Sequence, residues 1–132
     1  MLDVNYGFTR KLEKTALAAA RERITAALQK EGFGILTEID VKATLKKKLD
    51  VDVAPYVILG ACNPSIAHQA LAMEPGVGLL LPCNVVVTET AAGDSFVSII
   101  KPEAMFSVIK KPGMEPLIEE ATTRLTRALA AA

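Results

Sequence analysis

The residues of this chain best suited to chemistry are its two cysteines, Cys62 and Cys83. Cys62 begins the tripeptide Cys62-Asn63-Pro64, and Asn followed by Pro is typical of a helix start, with Asn as the N-cap. Cys62 would then lie just before a helix N-terminus, where free backbone amides and the helix dipole lower the pKa of a thiol. This makes Cys62 a candidate catalytic nucleophile. The alternative is that Cys62 is a small buried hydrophobic residue at the end of a core strand.

The second cysteine belongs to Pro82-Cys83-Asn84, which interrupts the apolar run Leu79–Val87. A proline in such a run predicts an edge, a bulge or a break in a strand. Bulges often re-aim a side chain at a functional site. The alternative is that Pro82 merely separates two short strands and that Cys83 is a core residue. The candidate ligand-binding residues at these two motifs are Cys62, Asn63, Cys83 and Asn84.

A third residue type that could join the cysteines is histidine, and His68 is the only one in the chain. Cys62, Cys83 and His68 together would form a Cys₂His set suited to zinc or another thiophilic metal. Their spacing matches no strong metal-binding motif. A helical wheel that turns Ile66 and Ala70 inward puts His68 on the flank opposite the core. A solvated or interface histidine is therefore the alternative interpretation.

Two carboxylates, Glu38 and Asp40, lie near the end of a predicted strand. If Thr37 and Ile39 face the core, Glu38 points to the opposite face of the sheet. There it could act as a base or as a ligand beside a thiol or metal. The alternative is that Glu38 is solvated and that Asp40 caps a helix over 41–49. Phosphate-binding, zinc-protease and serine-hydrolase motifs are absent from the sequence.

The hydrophobic pattern predicts elements in the order β-α-β-α-β-α-β-β-α. Helices are indicated by apolar residues three or four positions apart, and strands by alternation or by short apolar runs. One sheet covered by helices mainly on one face, in a single domain over residues 1–132, is the simplest arrangement. The predicted strands are 4–9, 33–39, 56–62, 77–90 and 95–101, and the predicted helices are 13–31, 41–49, 64–73 and 114–131.

Composition restricts the class of protein. Fifteen basic and fifteen acidic side chains cancel, so we expect no strong affinity for nucleic acid or for an anionic membrane. Two cysteines are too few for a disulfide scaffold, and the N-terminal residues do not resemble a secretory signal, so a cytoplasmic protein is expected. Glu74 is the only charged residue between Val53 and Thr88. That stretch predicts a buried core or a subunit interface, and hence a homodimer.

The motifs taken together resemble an uncharacterised prokaryotic family, domain of unknown function 302. The resemblance rests on Gly-Phe-x-x-x-x-Glu-Ile-Asp-Val at 32–41, on Pro-Tyr-x-Ile-Leu-Gly-Ala-Cys-Asn-Pro at 55–64, on 68–71, and on Leu-Leu-Leu-Pro-Cys-Asn-Val-Val-Val at 79–87. It implies an α+β fold, a two-layer α/β sandwich like that of TATA-binding protein, usually dimeric, and it implies no activity. The family's motif positions correspond here to Glu38, Asp40, Cys62, Asn63, Pro64, Pro82, Cys83 and Asn84.

Three functional hypotheses follow from these residues. The first is a small binding module whose ligand or thiophilic metal, such as zinc, meets the region of Cys62 and Cys83. The second is a thiol enzyme or redox protein that uses Cys62. The third is a structural homodimer without a site. Exposure and pKa of the two thiols would discriminate among the three.

Overall fold

The computed structural model describes residues 4–132. Five antiparallel strands form one sheet in the spatial order β1-β5-β4-β3-β2. The expected α+β sandwich with an antiparallel sheet is confirmed. The strands are β1 (Gly7–Leu12), β2 (Gly34–Asp40), β3 (Tyr56–Cys62), β4 (Cys83–Glu89) and β5 (Ser95–Ile100), and the helices are α1 (Leu17–Lys30), α2 (Val41–Leu49), α3 (Pro64–Met73), α4 (Pro102–Met105) and α5 (Glu115–Ala131).

The core lies between one face of the sheet and helices α1, α3 and α5. Ile24 and Leu28 of α1 and Leu125 of α5 are fully buried there. The sheet contributes alternate residues, because successive side chains of a strand point to opposite faces. Those core-facing sheet residues are Val57, Leu59, Ala61, Val85, Val87, Val97 and Ile99.

The opposite face of the sheet, which we call the open face, has no helix of the core packed on it. The register defines its side chains, since paired residues of antiparallel strands point to the same side. Helix α2 contacts β3 and β2, but none of its residues is buried. The apolar side chains that the register places on the open face are Ile39, Tyr56, Ile58, Cys62, Val86, Phe96 and Ile100.

A β-bulge at Leu36 corrects the expected orientation of strand β2. The pairing shifts between Ile35 and Thr37, so that Glu38 pairs with the buried Leu59. Glu38 therefore lies on the helix side of the sheet, whereas Thr37 and Ile39 point to the open face. The expectation that Thr37 and Ile39 face the core was wrong, because the bulge inserts one residue into the alternation.

Three other segments differ from the sequence prediction. The stretch 77–82, expected to be part of a strand, belongs mostly to a 3-10 helix over Pro75–Leu80, and β4 begins only at Cys83. Glycines at 76 and 78 and prolines at 75 and 82 disfavour a strand there. The short helix α4 was not predicted. Strand β1 also begins and ends about three residues later than the predicted strand over 4–9.

Candidate functional site

The two cysteines lie at the same end of neighbouring strands. Cys62 is the last residue of β3, and Cys83 is the first residue of β4. Cys83 pairs with Ala61, the residue directly before Cys62. Cys62 is half-buried, Cys83 is buried, and neither forms a disulfide. The sheet topology therefore brings together the two motifs that the sequence places 20 residues apart.

Both cysteines contribute to the wall of one narrow cavity at the edge of the core. Its volume is about 20 Å³, and a cavity needs about 10–15 Å³ to hold one water molecule. The site thus accommodates an occupant of atomic size rather than an organic molecule. The other lining residues are predominantly apolar: Phe33, Ala61, Asn63, Ile66, Ala67, Ala70, Leu81, Phe106 and Ala121.

Asn63 caps helix α3 and uses an amide that was expected to face the Cys62 sulfur. Its side-chain oxygen accepts a hydrogen bond from the backbone N–H of Ile66 at 3.2 Å. Pro64 is the first residue of the helix and has no N–H to donate. The helix start predicted at Asn63-Pro64 is confirmed. The cap already satisfies one of the free backbone N–H groups at the N-terminus of α3. Fewer of these groups therefore remain to stabilise a Cys62 thiolate.

The protonation of both thiols follows burial. Desolvation raises the pKa of Cys62 above its ordinary value. Burial, together with the nearby Cys62, raises the pKa of Cys83 to about 11. Both side chains are therefore predominantly neutral thiols near pH 7, and the lowered pKa expected for Cys62 is not what its surroundings produce.

His68 does not join the cysteines. It lies on the exposed side of α3, whereas Ile66 and Ala70 of the same helix are buried. Within residues 4–132, no three His, Cys, Asp or Glu side chains lie close enough together to hold a metal ion. The Cys62, Cys83 and His68 set is therefore not assembled within this chain, because the helix turns the imidazole away from the sheet.

The two carboxylates near the end of β2 have structural partners. Glu38 forms an ion pair with Arg21 of α1. The Asp40 side chain accepts a hydrogen bond from the Ala43 amide at 2.9 Å and so caps α2, as predicted. Neither carboxylate is among the residues that line the cysteine cavity.

Comparison with known proteins identifies the family. The model of the family described as "Domain of unknown function DUF302" matches residues 8–132. The chain belongs to the DUF302 family. The expectation from the sequence motifs is confirmed. No curated protein matches the chain.

A DUF302 fold has also been solved by crystallography. The chain is similar to an uncharacterized conserved protein DUF302 from Bacillus stearothermophilus, with 29% sequence identity and a TM-score of 0.87. The match covers 97% of this chain and 98% of that protein. In this DUF302 chain, no helix within the described residues 4–132 is long and apolar enough to cross a membrane.

One residue near the cysteines that the sequence analysis missed is Gly60, two residues before Cys62. A Cβ atom at this position would lie 2.2 Å from Thr37 Oγ1 and 2.7 Å from Pro82 Cγ. Asn84, which is exposed, is the residue paired with Gly60 on the neighbouring strand. The side chains of Thr37 and Pro82 thus close over a glycine. A lone glycine inside an apolar strand was the available signal.

Proposed function

We propose that this protein is a small binding module in which Cys62 and Cys83 together hold a single soft monovalent metal ion of the copper(I) type. The observation that supports this proposal is the common cavity, which residues Cys62 and Cys83 both line among almost entirely apolar neighbours and which has space for one atom-sized occupant. Soft thiolate ligands favour copper(I).

The number of ligands favours a two-coordinate ion over zinc. Structural zinc is almost always bound by four ligands, and catalytic zinc by three protein ligands. The side chain of Asn63, the polar neighbour in the cavity wall, is used in the helix cap. Two thiols alone match an ion that accepts two sulfur ligands. On binding, two S–H bonds break, two metal–sulfur bonds form and two protons leave to solvent, with no change in oxidation state.

The pKa directions separate this proposal from the thiol-enzyme alternative. A nucleophilic cysteine needs a substantial thiolate fraction near neutral pH. Burial raises the pKa of both thiols here. A metal ion that binds sulfur can displace the thiol protons, whereas a nucleophilic cysteine would have to lose its proton without such help. The partial exposure of Cys62 is what keeps the redox alternative open to test.

The test is a titration of the reduced protein with copper(I), without oxygen, against a chromophoric copper(I) chelator. We expect the wild-type protein to bind one copper(I) ion per chain in competition with the chelator. The variants Cys62→Ser and Cys83→Ser should each lose the ion to the chelator. His68→Ala is the matched control and should bind like wild type, because His68 points away from the cavity. Binding by wild type no tighter than by the double cysteine variant would refute the proposal.

The alternatives give different results in the same preparation. A thiol enzyme would show Cys62 of the metal-free protein reacting quickly with an alkylating reagent at neutral pH. A structural protein would show two thiols that stay inert until it unfolds. In the proposed module, copper(I) protects Cys62 from alkylation, and Cys83 is protected by burial with or without the ion.

We also propose that the protein is a homodimer, with the open face as its interface. Within residues 4–132, Lys11 is the only charged strand residue that the register places on that face. Apolar side chains of the open face, including Ile58 and Val86, lie on the central strands of the sheet. Large exposed apolar surfaces of soluble proteins commonly mark an interface.

Sedimentation equilibrium at low micromolar concentration should give about twice the mass of one chain. Ile58→Glu on the open face should shift the protein toward monomer. Val108→Glu, on an exposed loop away from the sheet, should leave the mass unchanged. A monomeric wild type would contradict this proposal.

A further inference from the structure

A second concave site lies away from the cysteines, between the 3-10 helix (Pro75–Leu80) and the segment 106–111. This cleft has a volume of about 500 Å³, within the range of about 300–1,000 Å³ that is typical of small-molecule sites. We call it the lysine cleft. Its lining residues are Glu74, Gly76, Val77, Leu79, Leu80, Val108, Ile109, Lys110 and Lys111.

The side chains on both sides of the lysine cleft are apolar and exposed. Leu79 is 92% exposed and Val108 is 69% exposed, although both are large hydrophobic residues. Val77, by contrast, is almost fully buried. A single exposed leucine is unremarkable in a protein surface. Two exposed apolar residues from different segments that line one concavity indicate a surface suited to an apolar ligand.

The charges at the cleft favour an anion. Lys111 donates a hydrogen bond to the backbone oxygen of Met73 and so ties the 106–111 segment to the end of α3. Lys110 is exposed and forms no hydrogen bond or ion pair within residues 4–132. Glu74 contributes the one carboxylate, which leaves an excess of one positive charge at the cleft.

We propose that the lysine cleft binds a single-chain amphiphile that carries a carboxylate, such as a medium-chain fatty acid. The alkyl chain would lie between Leu79 and Val108, and the carboxylate would pair with Lys110. A neutral apolar molecule would use the same walls but would leave this cation without a partner. A protein partner would need about 20–30 residues of interface on each side, whereas nine residues line the cleft.

This site is distinct from the cysteine cavity and does not depend on the proposed function. Leu80 and Ile109 line the lysine cleft, whereas Leu81 and Phe106 line the cysteine cavity. The two sites are therefore lined by different residues of the same two chain segments. Failure of copper(I) binding would leave the cleft proposal intact, and the reverse is also true.

The test uses calorimetric titration of the full chain with decanoate, and with decanol as the uncharged ligand of equal chain length. We expect saturable binding of one decanoate per chain, and weaker binding of decanol. Lys110→Glu should weaken decanoate binding by about tenfold, because it replaces the attractive charge by a repulsive one, and should leave decanol binding unchanged. Val108→Asp should abolish binding of both ligands.

Matched controls come from α2, which lies outside the cleft. Leu49 is 66% exposed and Lys48 is exposed, so Leu49→Asp and Lys48→Glu make the same chemical changes elsewhere. Both control variants should bind decanoate like wild type. The proposal is overturned if wild type shows no saturable binding, if the control variants lose as much affinity as the cleft variants, or if decanol binds as tightly as decanoate. Circular dichroism verifies that each variant is folded, which is expected because these side chains are exposed.

Discussion

Gly60 provides the most direct test of how the open face is packed near the cysteines. In Gly60→Ala, the new methyl group would lie 2.2 Å from Thr37 Oγ1 and 2.7 Å from Pro82 Cγ. Thr37 is exposed and can rotate its hydroxyl group away, whereas the Pro82 ring is rigid. The proline, and with it the start of β4 at Cys83, must therefore shift.

The expected magnitude is a difference between two effects. Overpacking a well-packed site costs about 1–3 kcal/mol. Replacing glycine by alanine in a strand returns about 0.5–1 kcal/mol, because the unfolded chain has fewer conformations to lose. We therefore expect Gly60→Ala to lower the free energy of unfolding by about 1–2 kcal/mol, which lowers the midpoint in urea by roughly 1 M.

The assay is urea unfolding followed by far-ultraviolet circular dichroism, at several protein concentrations because dimerisation would add to the apparent stability. Gly34→Ala is the matched control: it lies on the adjacent strand, and a Cβ atom there would meet nothing within 4 Å. It should be as stable as wild type or slightly more so. The double variant Thr37→Ala/Gly60→Ala should recover part of the loss, since only the contact with Pro82 remains. Equal stability of Gly60→Ala and wild type would refute this account of the packing.

Two further predictions concern single polar contacts. Asn63→Ala removes the buried cap of α3 and should cost about 0.5–2 kcal/mol in urea unfolding, whereas an unchanged midpoint would show that the cap contributes nothing. The pKa of Asp94 is lowered chiefly because its carboxylate accepts a hydrogen bond from the Lys14 amide, with Lys11 also nearby. Its stabilising effect is thus fully present above the ordinary carboxyl pKa of about 3.9 and is lost as pH falls through the lowered value in the folded state. The difference in melting temperature between wild type and Asp94→Asn should therefore be constant near neutral pH and shrink as the pH falls below about 4, and a difference that stays constant in acid would contradict this.

Local signals in the sequence predicted most elements well. Helix α2 and strand β3 have the predicted bounds, because Asp40 and the Asn63-Pro64 pair act through contacts within one helical turn. The run 77–82 was misread because apolar residues occur in a buried strand and in a 3-10 helix alike. Only the glycines and prolines in and beside this run indicate that it is not a strand.

The site was less predictable, because its properties arise between segments that are distant in sequence. The sequence placed Cys62 at the end of a strand but Cys83 inside the predicted strand over 77–90, whereas the sheet brings the end of β3 next to the start of β4 at Cys83. The predicted Asn63 cap uses one of the amides that were also expected to face the Cys62 sulfur. The packing of Thr37 and Pro82 over Gly60 joins two strands and the loop before β4, and it leaves no local pattern. The lysine cleft likewise joins segments about 30 residues apart.

The bulge at Leu36 has a consequence for the solubility of the protein. Strand β2 lies at one edge of the sheet, where unpaired backbone groups can recruit a strand from another molecule and start a polymer. The bulge interrupts this edge, and it also places the charged Glu38 on the helix side of the sheet, where it forms an exposed ion pair with Arg21. A strand added here would meet an irregular backbone beside a charged side chain. Edge-to-edge growth is thereby disfavoured, and in the proposed dimer two chains would associate through the face of the sheet rather than through its border.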